Sequence, residues 1–161
     1  MKYFDKIKTV EELKKEYCRL AKILHPDAGG DTADFQTMQN EFEKVFENVK
    51  NIHIKSDGTT YEKTTTEKAS EYMQIINELL TLKKIIIDLL GNWIWVSGDT
   101  KSNKEKLKKM GFKYSGLKKC WYWHDGKYRR GTNKSDTLKE LKEKYEHTVY
   151  YSKNEDLKKL A

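Results

Sequence analysis

The chain is short of the residues that build several large protein classes. It has one proline in 161 residues, which excludes a proline-rich scaffold or linker. Two cysteines, Cys18 and Cys120, are too few for a disulfide framework or a four-cysteine zinc site. His53, His124 and His147 lack metal-ligand spacing, so no metal is expected. There is no glycine-rich phosphate loop, no Ser/His/Asp or Cys/His setting and no carboxylate pair with a pocket signature. Neither catalysis nor a cofactor is therefore expected. No apolar run approaches the ~18 residues of a membrane span, and no signal-peptide core is visible at the N-terminus. The expectation is a soluble, cytoplasmic protein from a reducing compartment, with no membrane partner. Leu, Ile, Val and Phe total only 34, close to the level of about a fifth at which chains stop folding. Ten Tyr and four Trp make up the difference, so folded modules with thin cores are expected.

Charge is abundant and unevenly placed. Charged residues are 35% of the chain and the net charge is +7. Residues 1–100 carry a net −3 and residues 101–161 a net +10. A basic stretch of that size is either a polyanion-binding surface or a solubilising one.

The first helix is marked by the capping box Thr9-Val10-Glu11-Glu12. Val10, Leu13, Tyr17, Leu20 and Leu24 then follow at spacings of 3 and 4, which predicts one apolar stripe. Lys15, Arg19 and Lys22 fall on the other side. Pro26 ends the helix, and Gly29-Gly30 continues the break. Asp31 or Thr32 caps a second helix with the stripe Phe35, Met38, Phe42, Val45, Val49. Two such helices pack antiparallel, and a short leading helix with Tyr3, Phe4 and Ile7 closes the cluster.

The loop between them reads His25-Pro26-Asp27, directly after Lys14-Lys15-Glu16-Tyr17-Cys18-Arg19-Leu20-Ala21. Together with Phe35, Met38 and Phe42, this resembles the J-domain of DnaJ-like co-chaperones over residues 1–50. The resemblance implies a DnaK-class seventy-kilodalton heat-shock chaperone as partner, whose ATP hydrolysis the domain stimulates. By position it places Lys14, Lys15, Arg19 and Lys22 on a basic docking face, and His25, Pro26 and Asp27 in the trigger loop. Cys18 stands where the family usually has a basic residue. A solvated helix face and an ordinary helix-end turn are the plainer reading of the same residues.

Residues 51–66 show no apolar period and read as a linker. Residues 67–161 read as a second domain. A helix over 67–82 carries Tyr72, Met73, Ile75, Ile76, Leu79 and Leu80. Strands follow near 84–90 and 93–97, joined by Gly91-Asn92. A helix near 103–110, a strand near 118–124, a helix near 136–145 and a short edge strand over 148–151 complete it. The fold class is α+β: a helical hairpin, then a small antiparallel sheet with packed helices. Residues 93–123 also resemble a strand-helix-strand module of phage and plasmid proteins, which carries no assigned activity.

The tryptophans form two i, i+2 pairs, Trp93/Trp95 and Trp121/Trp123, so each pair shares a face of its strand. On neighbouring strands they would make one aromatic surface beside Lys118, Lys119, Lys127, Arg129 and Arg130. That surface suits single-stranded nucleic acid. Core packing is the competing reading. Two functions remain open. One is a co-chaperone whose C-terminal domain selects an unknown client or location. The other is a nucleic-acid-binding accessory protein of a phage or mobile element, with the J-domain recruiting a chaperone.

Overall fold

A computed structural model describes residues 1–55, 57–90, 93–124, 139–140, 143 and 147–151. The chain is α+β and divides into two compact units, Met1–Thr81 and Leu82–Ala161. No described helix is long and apolar enough to cross a membrane.

In the first unit, α1 (Val10–Leu24) and α2 (Thr32–Val49) form the expected hairpin. The capping box is made in full: the Thr9 hydroxyl accepts the Glu12 N–H at 3.3 Å, and Glu12 accepts the Thr9 N–H at 3.3 Å. Asp31 caps α2 by accepting the N–H groups of Ala33 and Asp34. The stripes meet in an aromatic core. Tyr17 lies 4.5 Å from Phe42 between ring centroids, and Phe42 stacks on Tyr72 at 5.8 Å. Phe4 closes the cluster against Phe42, but residues 1–9 form no helix. Instead the Glu41 carboxylate accepts the backbone N–H groups of Lys2 and Tyr3, which orders this segment without helical bonds.

The segment expected as a linker is structured. Strands β1 (Ile52–Ile54) and β2 (Thr60–Glu62) pair antiparallel, with Gly58 at φ +87° in the turn. Its buried side chain is His53, whose ring contacts Glu11 of α1 at 3.0 Å and the Lys63 carbonyl at 3.2 Å. Glu11 also accepts the Ile54 N–H. Helix α3 (Ala69–Thr81) packs on α1 and α2, so it belongs to the first unit rather than to the second domain as expected. Tyr72 explains why: its ring fills the core and its hydroxyl donates to the Lys14 carbonyl at 3.0 Å.

The second unit is a five-stranded antiparallel sheet in the order β5-β6-β4-β3-β7. Its strands are β3 (Ile85–Leu90), β4 (Trp93–Gly98), β5 (Lys113–Ser115), β6 (Cys120–Trp123) and β7 (His147–Tyr151), with α4 (Lys104–Lys109) between β4 and β5. The edge strand near 148–151 is present as β7, and β5 is an addition. Asn103 precedes α4, and its side chain donates to the carbonyls of Lys83 and Asp99 instead of capping the helix. Of the helix expected over 136–145, residues 139, 140 and 143 are helical and the rest lies outside the described residues.

Candidate functional site

The loop after α1 is held by its own backbone. The His25 N–H still closes the helix on Ala21, but ψ of +133° turns the chain away and Pro26 starts a single 3₁₀ turn over Pro26–Ala28. The His25 carbonyl accepts two N–H groups, from Ala28 at 2.8 Å and Gly30 at 3.1 Å. Gly29 sits at φ +88°, and a Cβ on Gly30 would lie 2.0 Å from the Leu24 carbonyl oxygen. Both positions therefore require glycine.

The His25 ring is fixed as well. Its Nδ1 accepts the Asp27 N–H at 3.1 Å, which leaves Nε2 to carry the proton of the neutral ring. The ring packs edge-on against Phe35 of α2, with centroids 5.2 Å apart. The Asp27 side chain is 54% exposed, with its carboxylate 3.8 Å from Nδ1. The tripeptide thus presents a stiff proline, a carboxylate and an oriented imidazole on one rigid turn.

The basic face differs from expectation at one position. Lys14 is buried: its ammonium pairs with Glu67, both side chains being 4% or less exposed, and lies 5.1 Å over the Tyr72 ring. A lysine held this way is unavailable for docking. Lys15 is half-buried, and Arg19 and Lys22 are exposed. Arg19 is held by Glu16 through two bonds, 2.6 and 3.0 Å. Cys18 lies wholly in the core, where burial pushes its thiol up to about 12. A basic side chain at this position would bring an unpaired charge into the core.

A groove of about 470 Å³ borders the loop, lined by His25, Gln39, Ser70, Gln74, Asn77 and Glu78, among others. Apart from His25, sequence reasoning missed these polar residues because they lie on α2 and α3 outside the apolar stripes and follow no motif.

In the second unit the two tryptophan pairs do not share a surface. Trp95 pairs with Tyr122, whereas Ile94 pairs with Trp123 and Val96 with Trp121. Cross-strand partners share a face, so Trp93/Trp95 and Trp121/Trp123 lie on opposite faces of the sheet. Trp93 stacks on Trp95 at 5.4 Å beside Tyr122 and His124, and the Lys118 ammonium lies 5.6 Å over Trp95. On the other face Trp121 is covered by Tyr114, and Trp123 meets Gly111 just after α4. Trp95 and Trp121 are buried, and Trp93 and Trp123 are half-buried. The single aromatic platform expected for stacking bases is absent from the described residues. Lys119 is exposed; Lys127, Arg129 and Arg130 lie outside the described residues.

Among the described residues no three His, Cys, Asp or Glu side chains gather as a metal site. No family model, curated protein or solved structure matches the chain.

Proposed function

We propose that the chain is a J-domain-type co-chaperone that binds a DnaK-class chaperone and stimulates its ATP hydrolysis. The observation that carries the reading is the rigid His25-Pro26-Asp27 turn at the tip of an antiparallel helical hairpin, with Arg19 and Lys22 exposed on the preceding helix. Such a turn pre-pays the ordering cost of docking. Exposed cations beside it steer an acidic partner surface and make association salt-dependent. The docking set is revised to His25, Pro26, Asp27, Lys15, Arg19 and Lys22, without Lys14. The second unit selects the client or the cellular location.

Nucleic-acid binding retains only charge as support. Residues 101–119 hold eight lysines and one acid, but the tryptophans lie on two faces and two of them are buried. The co-chaperone reading rests on geometry as well as charge and is preferred. Its test is direct binding of ATP-loaded chaperone to the full chain at two salt concentrations. Arg19→Glu should weaken binding at low salt and have less effect at high salt. Equal affinity of the two proteins at both salts would contradict the docking face.

A further inference from the structure

Two residues that line the groove beside His25, Gln39 and Asn77, share one buried hydroxyl beneath it. Tyr17 donates to the Asn77 side-chain oxygen at 3.0 Å and receives the Gln39 side-chain N–H at 3.4 Å. The one phenolic hydrogen goes to Asn77, and the phenol oxygen accepts from Gln39, so in this arrangement one amide accepts and the other donates. Burial pushes the Tyr17 phenol up to about 12, which keeps that hydrogen in place at neutral pH. The consequence lies on the outer side of each amide. Asn77 is left presenting N–H donors, and Gln39 is left presenting a carbonyl acceptor. Neither group makes another hydrogen bond among the described residues.

A fixed donor beside a fixed acceptor is the complement of a peptide unit, which has one C=O and one N–H. The rest of the lining fits the same ligand. Ser70 adds a neutral hydroxyl along α3, while Gln74 donates to the Glu78 carboxylate at 3.2 Å and Thr81 to the Glu78 carbonyl at 2.6 Å. Among the described residues no lysine or arginine lines the groove, which disfavours phosphate and nucleic acid. From Ser70 to Thr81 the helix rises about 16 Å, the length of roughly five residues of extended chain. His25 of the docking turn is itself part of the lining.

The geometry points to this groove as a clamp for the main chain of an extended, uncharged or basic peptide segment of a partner protein. The inference rests on the co-chaperone reading, and the segment then belongs to the chaperone that meets His25. Helix α3 thereby becomes part of the docking surface, and Tyr17 is a positioning residue acting through Asn77 and Gln39.

Two variants of the full chain test it in a titration of chaperone ATP hydrolysis. Asn77→Asp keeps the acceptor for Tyr17 but removes the outward donor. Ser70→Trp fills the groove from an exposed position that supports no core contact. Each should raise the half-maximal concentration about tenfold, the scale of one well-made hydrogen bond or a blocked contact. Circular dichroism checks that both variants fold. If the unaltered chain stimulates and either folded variant shifts by less than twofold, the clamp is overturned while the co-chaperone reading stands. If the unaltered chain itself fails to stimulate, the co-chaperone reading falls and takes this occupant with it.

Discussion

The ammonium of Lys14 and the carboxylate of Glu67 form a buried ion pair across 53 residues of sequence, tying α1 to the residues just before α3. Removing one partner strands a charge in the core. Glu67→Ala should cost about 3–5 kcal/mol, whereas the paired change Lys14→Met with Glu67→Leu should restore most of it. Chemical denaturation of the three proteins measures this. If Lys14 were a docking residue instead, Lys14→Met alone would weaken chaperone binding with little loss of stability.

The N-terminal segment should loosen in acid. Burial acts to raise the Glu41 carboxyl, but the N–H groups of Lys2 and Tyr3 and the chain's amino terminus hold it below its ordinary value. The hydrogen bond from Lys2 likewise lowers Asp34. A lowered folded pKa means stability that is complete above the unfolded carboxylate value and lost as pH falls through the folded one. Residues 1–9 should therefore lose amide protection, measured against the intrinsic exchange rate at each pH, below the ordinary carboxylate range. Glu41→Gln should show reduced protection at neutral pH already.

Cys18 should be silent to thiol reagents while the first unit is folded, because burial holds its thiol near 12 and keeps solvent out. Labelling at neutral pH in rising denaturant should follow the unfolding curve of the helical hairpin. Rapid labelling of Cys18 in the native protein would mean that α1 does not bury that face.

In the second unit, Trp121→Ala should cost about 3–5 kcal/mol, since the ring is buried against the sheet and under Tyr114. A neutral quencher should reach Trp93 and Trp123 before Trp95 and Trp121. Single-stranded oligonucleotide should leave the emission of Trp95 and Trp121 unchanged. Strong quenching of those two by bound bases would revive the stacking platform.

Much of the first unit is legible from α1 and α2, where a capping box and an unbroken 3.6-residue period agree. The hairpin β1–β2 is hidden for a physical reason. Its strands are three residues long and its buried side chain is the polar His53, flanked by half-buried Ile52 and Ile54. The partner that permits this burial, Glu11, lies on another element and leaves no local pattern. Lys14 misleads in the same way, because the groups that make its burial tolerable, Glu67 and the Tyr72 ring among them, lie more than 50 residues away. The tryptophan pairs are legible within each strand. Their placement on opposite faces depends on the β4–β6 register, where a shift of one residue would reverse the answer. The peptide-like groove needs Tyr17, Gln39 and Asn77 brought together from three helices, and no sequence period reports that.

The central claim is that the His25-Pro26-Asp27 turn triggers a chaperone. The most direct measurement is steady-state ATP hydrolysis by a DnaK-class chaperone with micromolar chain, comparing the unaltered protein with His25→Gln. The exchange removes the imidazole that caps Asp27 and rests on Phe35, at a folding cost of about 1 kcal/mol, so the domain stays folded. Hydrolysis should rise with the unaltered chain and stay at its basal rate with His25→Gln. An unchanged rate with both proteins, or full stimulation by the variant, would contradict the account.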